Sequence, residues 1–498
     1  MTDIVRSDFL RVWTIEGGAA PGNSPVYQGC FKPGDFTQSF GDVTRIECPD
    51  PDQYGAFVEV GEVPGQVERP TMTLMGRYPM DVSDLLRLAR KGCRIDVHVH
   101  VGKCRDPRDF NGGWEKKVIF PASRITNYGT ENFGALASDE RNPVNESADI
   151  SAREVYELAR VSFAEKAGST VAREIIAIRV CDTPNCGEDC GDESNGCQKI
   201  FAVQIGSGAT TPGTVPSVVW SDDGGATWDT SLITTLFANE TPTGAECVGE
   251  YFVVTSNIPN SLHYALIEDI LDGTETWTEI ATGFVATGEP NAISSVSPRH
   301  TWIVGDGGYI YFTDNPTSGV EVQDAGVATT QDLNAVHALD EQNVLVVGNS
   351  NAVVSTENGG ETWQAITGPS AAVNLTSVWM KSSSVWLVGN ASGDLWYTRN
   401  SGASWTEIGL PITPTQIEWI EFVDDTVGYL SATIAGPAGR ILRTTDGGES
   451  WYVLPEGAGA IPANDKINAL AVCKQNPNVV FGGGLGDNGT DGIIVQAA

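Results

Sequence analysis

The sequence predicts a mainly β protein, with a six- or seven-bladed β-propeller in its C-terminal two-thirds and a β-sandwich or barrel with one helix before it. Three observations predict this fold. A short phrase, Ser/Thr-x-Asp/Asn-x-Gly-x-x-Trp, occurs four times, its copies keep a nearly constant distance, and 56 of the 498 residues are glycine. A period of roughly 40–50 residues built from short strands is typical of propeller blades.

The four complete copies of the phrase lie between residues 221 and 451. They consist of Ser221, Asp223, Gly225 and Trp228; Thr356, Asn358, Gly360 and Trp363; Thr398, Asn400, Gly402 and Trp405; and Thr444, Asp446, Gly448 and Trp451. Subtracting positions places the last three tryptophans 42 and 46 residues apart, and the first 135 residues before the second. Because 135 is three times 45, two degraded copies are expected in that interval. One retains Asp272 and Trp277 without the glycine, and the other, which begins at Thr313, has also lost its tryptophan.

Each copy is expected to stabilise a hairpin. The short polar side chain in the middle of the phrase bonds nearby backbone amides, and the glycine supplies a positive φ for the turn. The tryptophan then opens the next strand and covers the hairpin. This pattern resembles the Asp-box, or BNR repeat, of sialidases, other carbohydrate-active propellers and photosystem assembly factors. The resemblance covers about residues 174–498 and implies the fold, with the repeats at the blade periphery, away from the active face.

The blade count and the domain boundaries follow from the same period. Counting the recurrent strand pairs predicts seven blades, or six if the terminal segments share one blade. Ring closure normally requires strands from both ends of the propeller in one blade, because this removes exposed sheet edges. The expected domains are residues 1–170 and 171–498, with a cysteine-rich insertion at 181–197.

Composition limits the partners of the chain. A net charge of −34 and a pI near 4.3 disfavour nonspecific binding to nucleic acid or to an anionic membrane. The N-terminus shows no apolar signal-peptide core, and no uninterrupted run of 18 apolar residues follows it. Neither Sec export nor a membrane span is therefore predicted.

Residues 1–170 are predicted to form a small α+β unit. Apolar periodicity predicts a helix over residues 81–91 and an alternating strand over residues 94–102, followed by a polar loop at 104–113 and a stretch at 145–152 that ends a second long loop. This layout resembles the tube-forming protein of long-tailed bacteriophages. The resemblance implies a β-sandwich that assembles into stacked hexameric rings around a DNA channel, with other tail proteins as partners.

Four cysteines are clustered in the polar insertion, at Cys181, Cys186, Cys190 and Cys197. Disulfide bonds are the preferred interpretation, because a polar insertion without a core of its own needs a covalent staple. Free thiols and a metal site stay open as alternatives, although the cluster has no Cys-x2-Cys pair of the kind that zinc sites usually contain. The other cysteines are scattered: Cys30, Cys48, Cys93, Cys104, Cys247 and Cys473.

Candidates for catalysis are few. His98 and His100 lie on one face of the predicted strand and could bind a metal, but such residues more often line a polar sheet face or an interface. Glycoside hydrolysis needs two opposed carboxylates, and the paired acids are better explained as solvated turn residues: Asp222 with Asp223, Glu268 with Asp269, and Asp424 with Asp425. A sialidase would also need three arginines that converge on its substrate, and only four arginines follow residue 200. No catalytic residue, metal or cofactor is therefore expected.

Three functions are consistent with these observations. The preferred hypothesis, which the tail-tube resemblance implies, is a structural phage virion protein assembled in the host cytoplasm. Its acidic lumen would let DNA pass unbound, and its external propeller would bind glycans or the host surface. The second is a glycan-binding or glycoside-hydrolase propeller of the sialidase type. The third is an assembly-factor scaffold resembling the photosystem type.

Overall fold

The structure, a computed structural model, divides the chain into two compact units, Met1–Arg160 and Val161–Ala498. In the first unit it describes the strands and, among side chains, those of residues 97–99 and 125. In the second unit it describes residues 163–165, 173–181, 197–206, 215–236, 240–258, 260–369, 373–436, 438–454, 465–474, 476–486 and 492–497.

The described strands of the first unit form an eight-stranded sheet and a separate hairpin. They are β1 (Leu10–Glu16), β2 (Val26–Phe31), β3 (Phe36–Thr37), β4 (Thr44–Pro49), β5 (Phe57–Val63), β6 (Thr71–Leu74), β7 (Ile95–Val101), β8 (Lys116–Glu131), β9 (Asn145–Ser151) and β10 (Tyr156–Ala159). The sheet order is β2-β1-β7-β8-β9-β6-β3, with β10 paired to β8, while β4 pairs with β5. The predicted helix at 81–91 and loop at 104–113 lie outside the described residues, and the sandwich arrangement stays a prediction.

The second unit is a ring of seven four-stranded antiparallel blades. Blade 1 contains β12 (Ile175–Val180), β13 (Ile200–Gln204), β14 (Ser217–Ser221) and β15 (Asp229–Leu232); blade 2, β16 (Pro242–Val248), β17 (Tyr251–Asn257), β18 (Asn260–Leu266) and β19 (Thr278–Ile280); blade 3, β20 (Pro290–Ser297), β21 (His300–Gly305), β22 (Tyr309–Thr313) and β23 (Glu321–Ala325); blade 4, β24 (Leu333–Ala338), β25 (Val344–Gly348), β26 (Ala352–Thr356) and β27 (Gln364–Thr367). Blade 5 contains β28 (Leu375–Met380), β29 (Trp386–Asn390), β30 (Leu395–Thr398) and β31 (Thr406–Ile408); blade 6, β32 (Pro414–Phe422), β33 (Gly428–Ile434), β34 (Ala438–Thr444) and β35 (Tyr452–Val453); blade 7, β36 (Lys466–Val472), β37 (Val480–Leu485), β38 (Gly492–Ala497) and β11 (Phe163–Glu165). Helical structure in the described part is limited to α1 (Ile267–Leu271) in blade 2 and to 3-10 turns at Asp306–Gly308 and Asn349–Asn351.

Blade 7 closes the ring with strands from both ends of the propeller. β11 pairs with β38 in the register Phe163↔Ala497, so the first strand of the unit becomes the outermost strand of the last blade. The seven-bladed prediction is confirmed, and six blades are excluded. The unit begins at Val161 instead of residue 171, because β11 belongs to the propeller.

The hydrophobic cores lie between adjacent blades. All five residues of β25 are buried, whereas β27 at the outer rim is mostly exposed. Leu345 and Val347 of blade 4 pack in one cluster with Leu375 and Trp386 of blade 5. Burial of each such side chain contributes about 1.5–3 kcal/mol. The short apolar runs that marked the strands in the sequence are therefore the residues that hold neighbouring blades together.

Hydrogen bonds between inner strands supplement these cores. The side-chain amide of Asn291 donates to the carbonyl of Leu333 (3.0 Å), and that of Asn334 donates to the carbonyl of Leu375 (2.8 Å). At the junction between blades 7 and 1, Asn468 bonds both the Glu174 carboxylate (2.7 Å) and the carbonyl of Ile175 (3.2 Å). These contacts, which we call inter-blade latches, fix the inner strands of blades 3, 4 and 7 against the inner strand of the next blade.

Candidate functional site

The complete Asp-box turns join the third and fourth strands of blades 1, 4, 5 and 6, at the outer rim of the ring. In blade 4, the Thr356 hydroxyl donates to Asn358 Oδ1 (2.8 Å) and accepts from the N–H of Gly360 (3.0 Å), while Asn358 Oδ1 accepts from the N–H of Thr362 (3.1 Å). The same three bonds recur in the other complete copies. The glycines have φ between 78° and 95°: Gly225, Gly360, Gly402 and Gly448.

The tryptophans of the phrase also bind the neighbouring blade. The indole of Trp405 in blade 5 donates to the carbonyl of Thr367 in blade 4 (2.8 Å), and its ring lies 6.3 Å from that of Trp386. Trp363 of blade 4 packs on the core that blades 3 and 4 share. These rings are therefore part of the blade interfaces as well as of their own hairpins.

The two degraded copies lie in the corresponding turns of blades 2 and 3. Asp272 caps the short helix α1, which replaces the turn in blade 2, and Trp277 is buried behind it. In blade 3, Asn315 still accepts a hydrogen bond from the N–H of Thr317 (3.0 Å). Blade 7 has no copy because its fourth strand, β11, comes from the other end of the propeller. This explains why seven blades carry six copies.

The candidate acids and histidines do not form a catalytic group. The acidic pairs lie in blades 1, 2 and 6, where Asp223 and Asp424 hold turns through backbone N–H groups and Glu268 lies in the first turn of α1. His98 and its neighbours Val97 and Val99 are all buried, so β7 is covered on both faces at its centre. The side chain of His100 lies outside the described residues. Within the described part of the chain, His, Cys, Asp and Glu form no group of three or more that could bind a metal ion.

Two of the clustered cysteines form disulfide bonds with partners far away in the sequence. Cys181 is bonded to Cys247, and Cys197 is bonded to Cys473, each with 5.7 Å between the Cα atoms. The partners are two of the cysteines that the sequence left scattered. Cys186 and Cys190 lie outside the described residues. The bonds therefore join blades, since they connect blade 1 to blade 2 and to blade 7.

The inner strands of all seven blades line a central cavity of about 550 Å³. In an antiparallel four-stranded meander, the turn between strands 1 and 2 and the turn between strands 3 and 4 lie on the same side. The C-terminal ends of the inner strands therefore open on the Asp-box side, although near the axis and not at the rim. A group of charged and aromatic side chains, which we call the mouth cluster, lies at this end: Arg179, Glu246, His337, Trp379, Trp419, Glu421 and Lys474.

One half of the mouth cluster is centred on Arg179. Its Nε lies 3.1 Å from Glu246 Oε2 of blade 2, and its guanidinium lies 4.9 Å from the ring centre of Trp419 of blade 6. The Trp419 indole N–H donates to Glu421 Oε2 (3.0 Å). Burial raises the pKa of the Glu421 carboxyl, although the charges of Lys474 and Arg179 and the indole hydrogen bond act in the opposite direction. Trp419 also packs against the hydrophobic cluster that blades 7 and 1 share, which includes Ala469 and Ala471.

The other half of the mouth cluster is centred on Trp379. The Lys474 ammonium lies 5.2 Å from its ring centre and donates to the carbonyl of Phe422 (2.7 Å). The His337 ring lies 3.9 Å from that of Trp379, and its Nδ1 accepts the N–H of Met380 (3.2 Å). Burial, together with the charge of Lys474, lowers the pKa of His337 to about 3, so this imidazole is neutral at pH 7. Lys474 itself is exposed, so the cluster is accessible from solvent.

Sequence reasoning missed the mouth cluster, although a signal for part of it exists. His337, Trp379 and Glu421 are spaced 42 residues apart, which is the period of the blades, and each lies near the end of an inner strand. A search for polar or aromatic residues at that phase would have found these three. Arg179, Glu246 and Lys474 lie outside the regular stretch of the period and became visible only in the closed ring.

Comparison with known proteins agrees with the propeller. Residues 319–469 match the family model described as photosynthesis system II assembly factor YCF48. The photosystem II assembly lipoprotein Ycf48 of Synechococcus sp. (strain CC9902) is 27% identical over 126 residues, which are 24% of this chain and 37% of that relative. This chain thus spans little more than a third of the curated relative that it matches. Residues 161–498 are a BNR-type β-propeller similar to YCF48.

Solved structures resemble the BNR propeller in fold alone. The WD40 repeats of RRP9 align with a TM-score of 0.50 and 10% identity, over 68% of this chain and 97% of that chain. A structure titled YCF48 bound to D1 peptide aligns with a TM-score of 0.48 and 13% identity, over 68% of this chain and 97% of that chain.

The tail-tube hypothesis is wrong, and so are the virion location, the ring-forming, tail-protein and host-glycan partners, and the DNA channel that followed from it. The family match lies in the BNR propeller and is to an assembly factor. The features that suggested a tube protein, one helix, one alternating strand and polar loops, are local patterns that many β domains share. The sialidase-like alternative gains no support from these matches. Among the described residues, no helix has the length and apolar character needed to cross a membrane.

Proposed function

We propose that the BNR propeller is a non-catalytic assembly scaffold that binds a polypeptide segment of a partner protein at the mouth cluster. One observation carries the proposal: the stretch that matches the assembly-factor family, residues 319–469, supplies His337, Trp379, Trp419 and Glu421. The curated relative is named as an assembly factor of photosystem II. Proteins of that complex are therefore the first candidate partners, and this partner choice is part of the proposal.

The chemistry of the mouth cluster suits a polypeptide. Aromatic rings and arginine are the side chains that most often dominate the energy of protein interfaces, because they bury a large area and lose little conformational freedom. Trp379 and Trp419 are half-buried, and each is held in place by a cation at one face. A segment entering the channel would therefore meet rigid aromatic surfaces with charged groups beside them.

The absence of catalysis is also part of the proposal. The two carboxylates of the cluster already have fixed partners, since Glu246 is paired with Arg179 and Glu421 accepts from the Trp419 indole. His337 is neutral and uses Nδ1 to accept a backbone N–H. A general acid or base needs a group free to exchange a proton with a substrate. These groups instead hold one another in position.

An array of overlapping peptides from the D1 protein, probed with the full chain, tests this function. Wild type should bind at least one peptide, and Trp379→Ala or Trp419→Ala should weaken binding at least about tenfold, the size expected for a central aromatic contact. Glu418→Gln is the matched control, because Glu418 also lines the channel but its carboxylate accepts hydrogen bonds from Gln416 and Thr433, which are not members of the mouth cluster. Circular dichroism and Tm should show that each variant is folded.

Two results would overturn the proposal. One is binding that survives both tryptophan variants and is lost in Glu418→Gln. The other is an array on which the folded wild-type protein binds no peptide above background.

A further inference from the structure

The two disulfide bonds lie next to the charged residues of the mouth cluster. Cys181 follows Arg179 by two residues, Cys247 directly follows Glu246, and Cys473 directly precedes Lys474. The bond between Cys181 and Cys247 therefore ties together the same two strands that the Arg179–Glu246 ion pair connects. The bond between Cys197 and Cys473 ties the end of the strand before Lys474 to blade 1.

One of the two bonds lies at the junction of blades 7 and 1, where the two ends of the propeller meet. The closing strand β11 pairs with β38 over only three residues, whereas β36 and β37 pair over six. Blades 7 and 1 also meet through a hydrophobic cluster, the Asn468 latch and the Gln496 side-chain amide, which donates to the carbonyl of Gly224 (3.4 Å). Cys197 and Cys473 are 276 residues apart, so their bond is a second, covalent closure of the ring. A cross-link over so long a loop removes a large amount of conformational freedom from the unfolded chain.

We infer that this pair of disulfides is a redox-dependent support of the mouth cluster. Oxidation fixes blade 1 between blades 2 and 7 and so holds Arg179 and Lys474 in place. Reduction loosens the end of the channel at which the mouth cluster lies. Each bond forms when two thiols lose two protons and two electrons. A disulfide-containing oxidant accepts them by thiol–disulfide exchange and becomes two thiols. Such bonds persist in oxidising compartments, which is where the intact mouth cluster is expected.

Burial sets the order in which the two bonds respond. Cys197 is 3% exposed and Cys473 is 0% exposed, so a reductant reaches this bond only after local opening. Cys181 is also buried, but Cys247 is half-buried, so the bond between blades 1 and 2 contains the more exposed cysteine residue. Reduction should therefore break the bond between Cys181 and Cys247 first.

The inference concerns regulation of the site in the proposed function, but its test needs no ligand. The full chain is incubated with dithiothreitol, free thiols are alkylated at time points and identified by mass spectrometry, and hydrogen exchange is followed by peptide. In the oxidised protein, β12, β16 and β36 should be protected like β24 and β28 of blades 4 and 5. After reduction, protection of the first three strands should fall at least about tenfold while blades 4 and 5 change little.

Two double variants separate the bonds. Cys197→Ala with Cys473→Ala should lower Tm by roughly 3–8 °C, the effect of one cross-link in a unit of this size. Cys181→Ala with Cys247→Ala should lower Tm less, since its loop of 66 residues is shorter. If a variant does not fold, the reduction time course of the wild-type protein still tests the inference. Uniform loss of protection in all blades, unchanged protection after complete reduction, or native pairing of these cysteines with Cys186 or Cys190 would each overturn the inference.

Discussion

Replacing Asp446 by alanine should destabilise the propeller by an amount that its hydrogen bonds define. Asp446 is fully buried, and its carboxylate accepts from the Thr444 hydroxyl (2.7 Å), from the Ser450 N–H (3.0 Å) and from the Ser450 hydroxyl. Alanine removes both acceptor oxygens and so leaves three donor groups without this partner. Leaving buried donors unpaired costs about 1–3 kcal/mol each, and side-chain rotation recovers part of this, so we expect a loss of about 2–4 kcal/mol.

Differential scanning calorimetry converts this loss into a temperature. A unit of about 340 residues has an unfolding entropy of about 0.7 kcal/mol/K, so Tm should fall by about 3–6 °C. Asp446→Asn is the matched control, because the corresponding Asn358 donates from Nδ2 to the Thr362 hydroxyl (3.0 Å) while its Oδ1 accepts the turn N–H. Asparagine should therefore change Tm by no more than about 1 °C. The reasoning fails if asparagine is as harmful as alanine, or if alanine has no effect.

Three further predictions follow from single contacts. Hydrogen bonds from neighbouring groups lower the pKa of Asp223 to about 2 against the opposing effect of burial, so the stability that this carboxylate contributes is complete above the unfolded pKa near 4 and is lost as pH falls towards 2. In urea titrations, the difference in unfolding free energy between wild type and Asp223→Asn should be constant above pH 5 and should shrink below pH 4. A difference that does not depend on pH would contradict this prediction. Gly402 has a φ of +78°, and a Cβ at this position would lie 2.3 Å from Ile366, so Gly402→Ala should lower the free energy of unfolding in urea by about 2–4 kcal/mol. In the control variant Gly409→Ala, the new Cβ meets no atom within 4 Å, and the free energy of unfolding should change by no more than about 1 kcal/mol. Equal effects of the two variants would exclude the steric argument. Asn468→Ala removes the latch between blades 7 and 1 and should cost about 1–2 kcal/mol in the same assay, and unchanged stability would show that the latch carries no energy.

A feature of this protein is visible in its sequence when the residues that form it are close together along the chain. The bonds of the Asp-box connect residues no more than four apart, as in Thr356 with Gly360, so the phrase that makes the turn is visible in the sequence. The middle strands are buried on both faces and appear as short apolar runs such as β25. By contrast, the alternating strand at residues 94–102 and its polar neighbours are compatible with many β domains, and the functional hypothesis drawn from them was wrong.

The sequence by itself therefore determined the blade repeat, its period and the turn chemistry, because these arise from contacts within a few residues of one another. Only the tertiary structure decided how the ring closes, which cysteines pair and where the mouth cluster forms. β11 meets β38, Cys197 meets Cys473 and Arg179 meets Trp419 across most of the length of the propeller. Such contacts exist only after seven blades have closed on themselves, and nothing in the local pattern around either partner specifies the other.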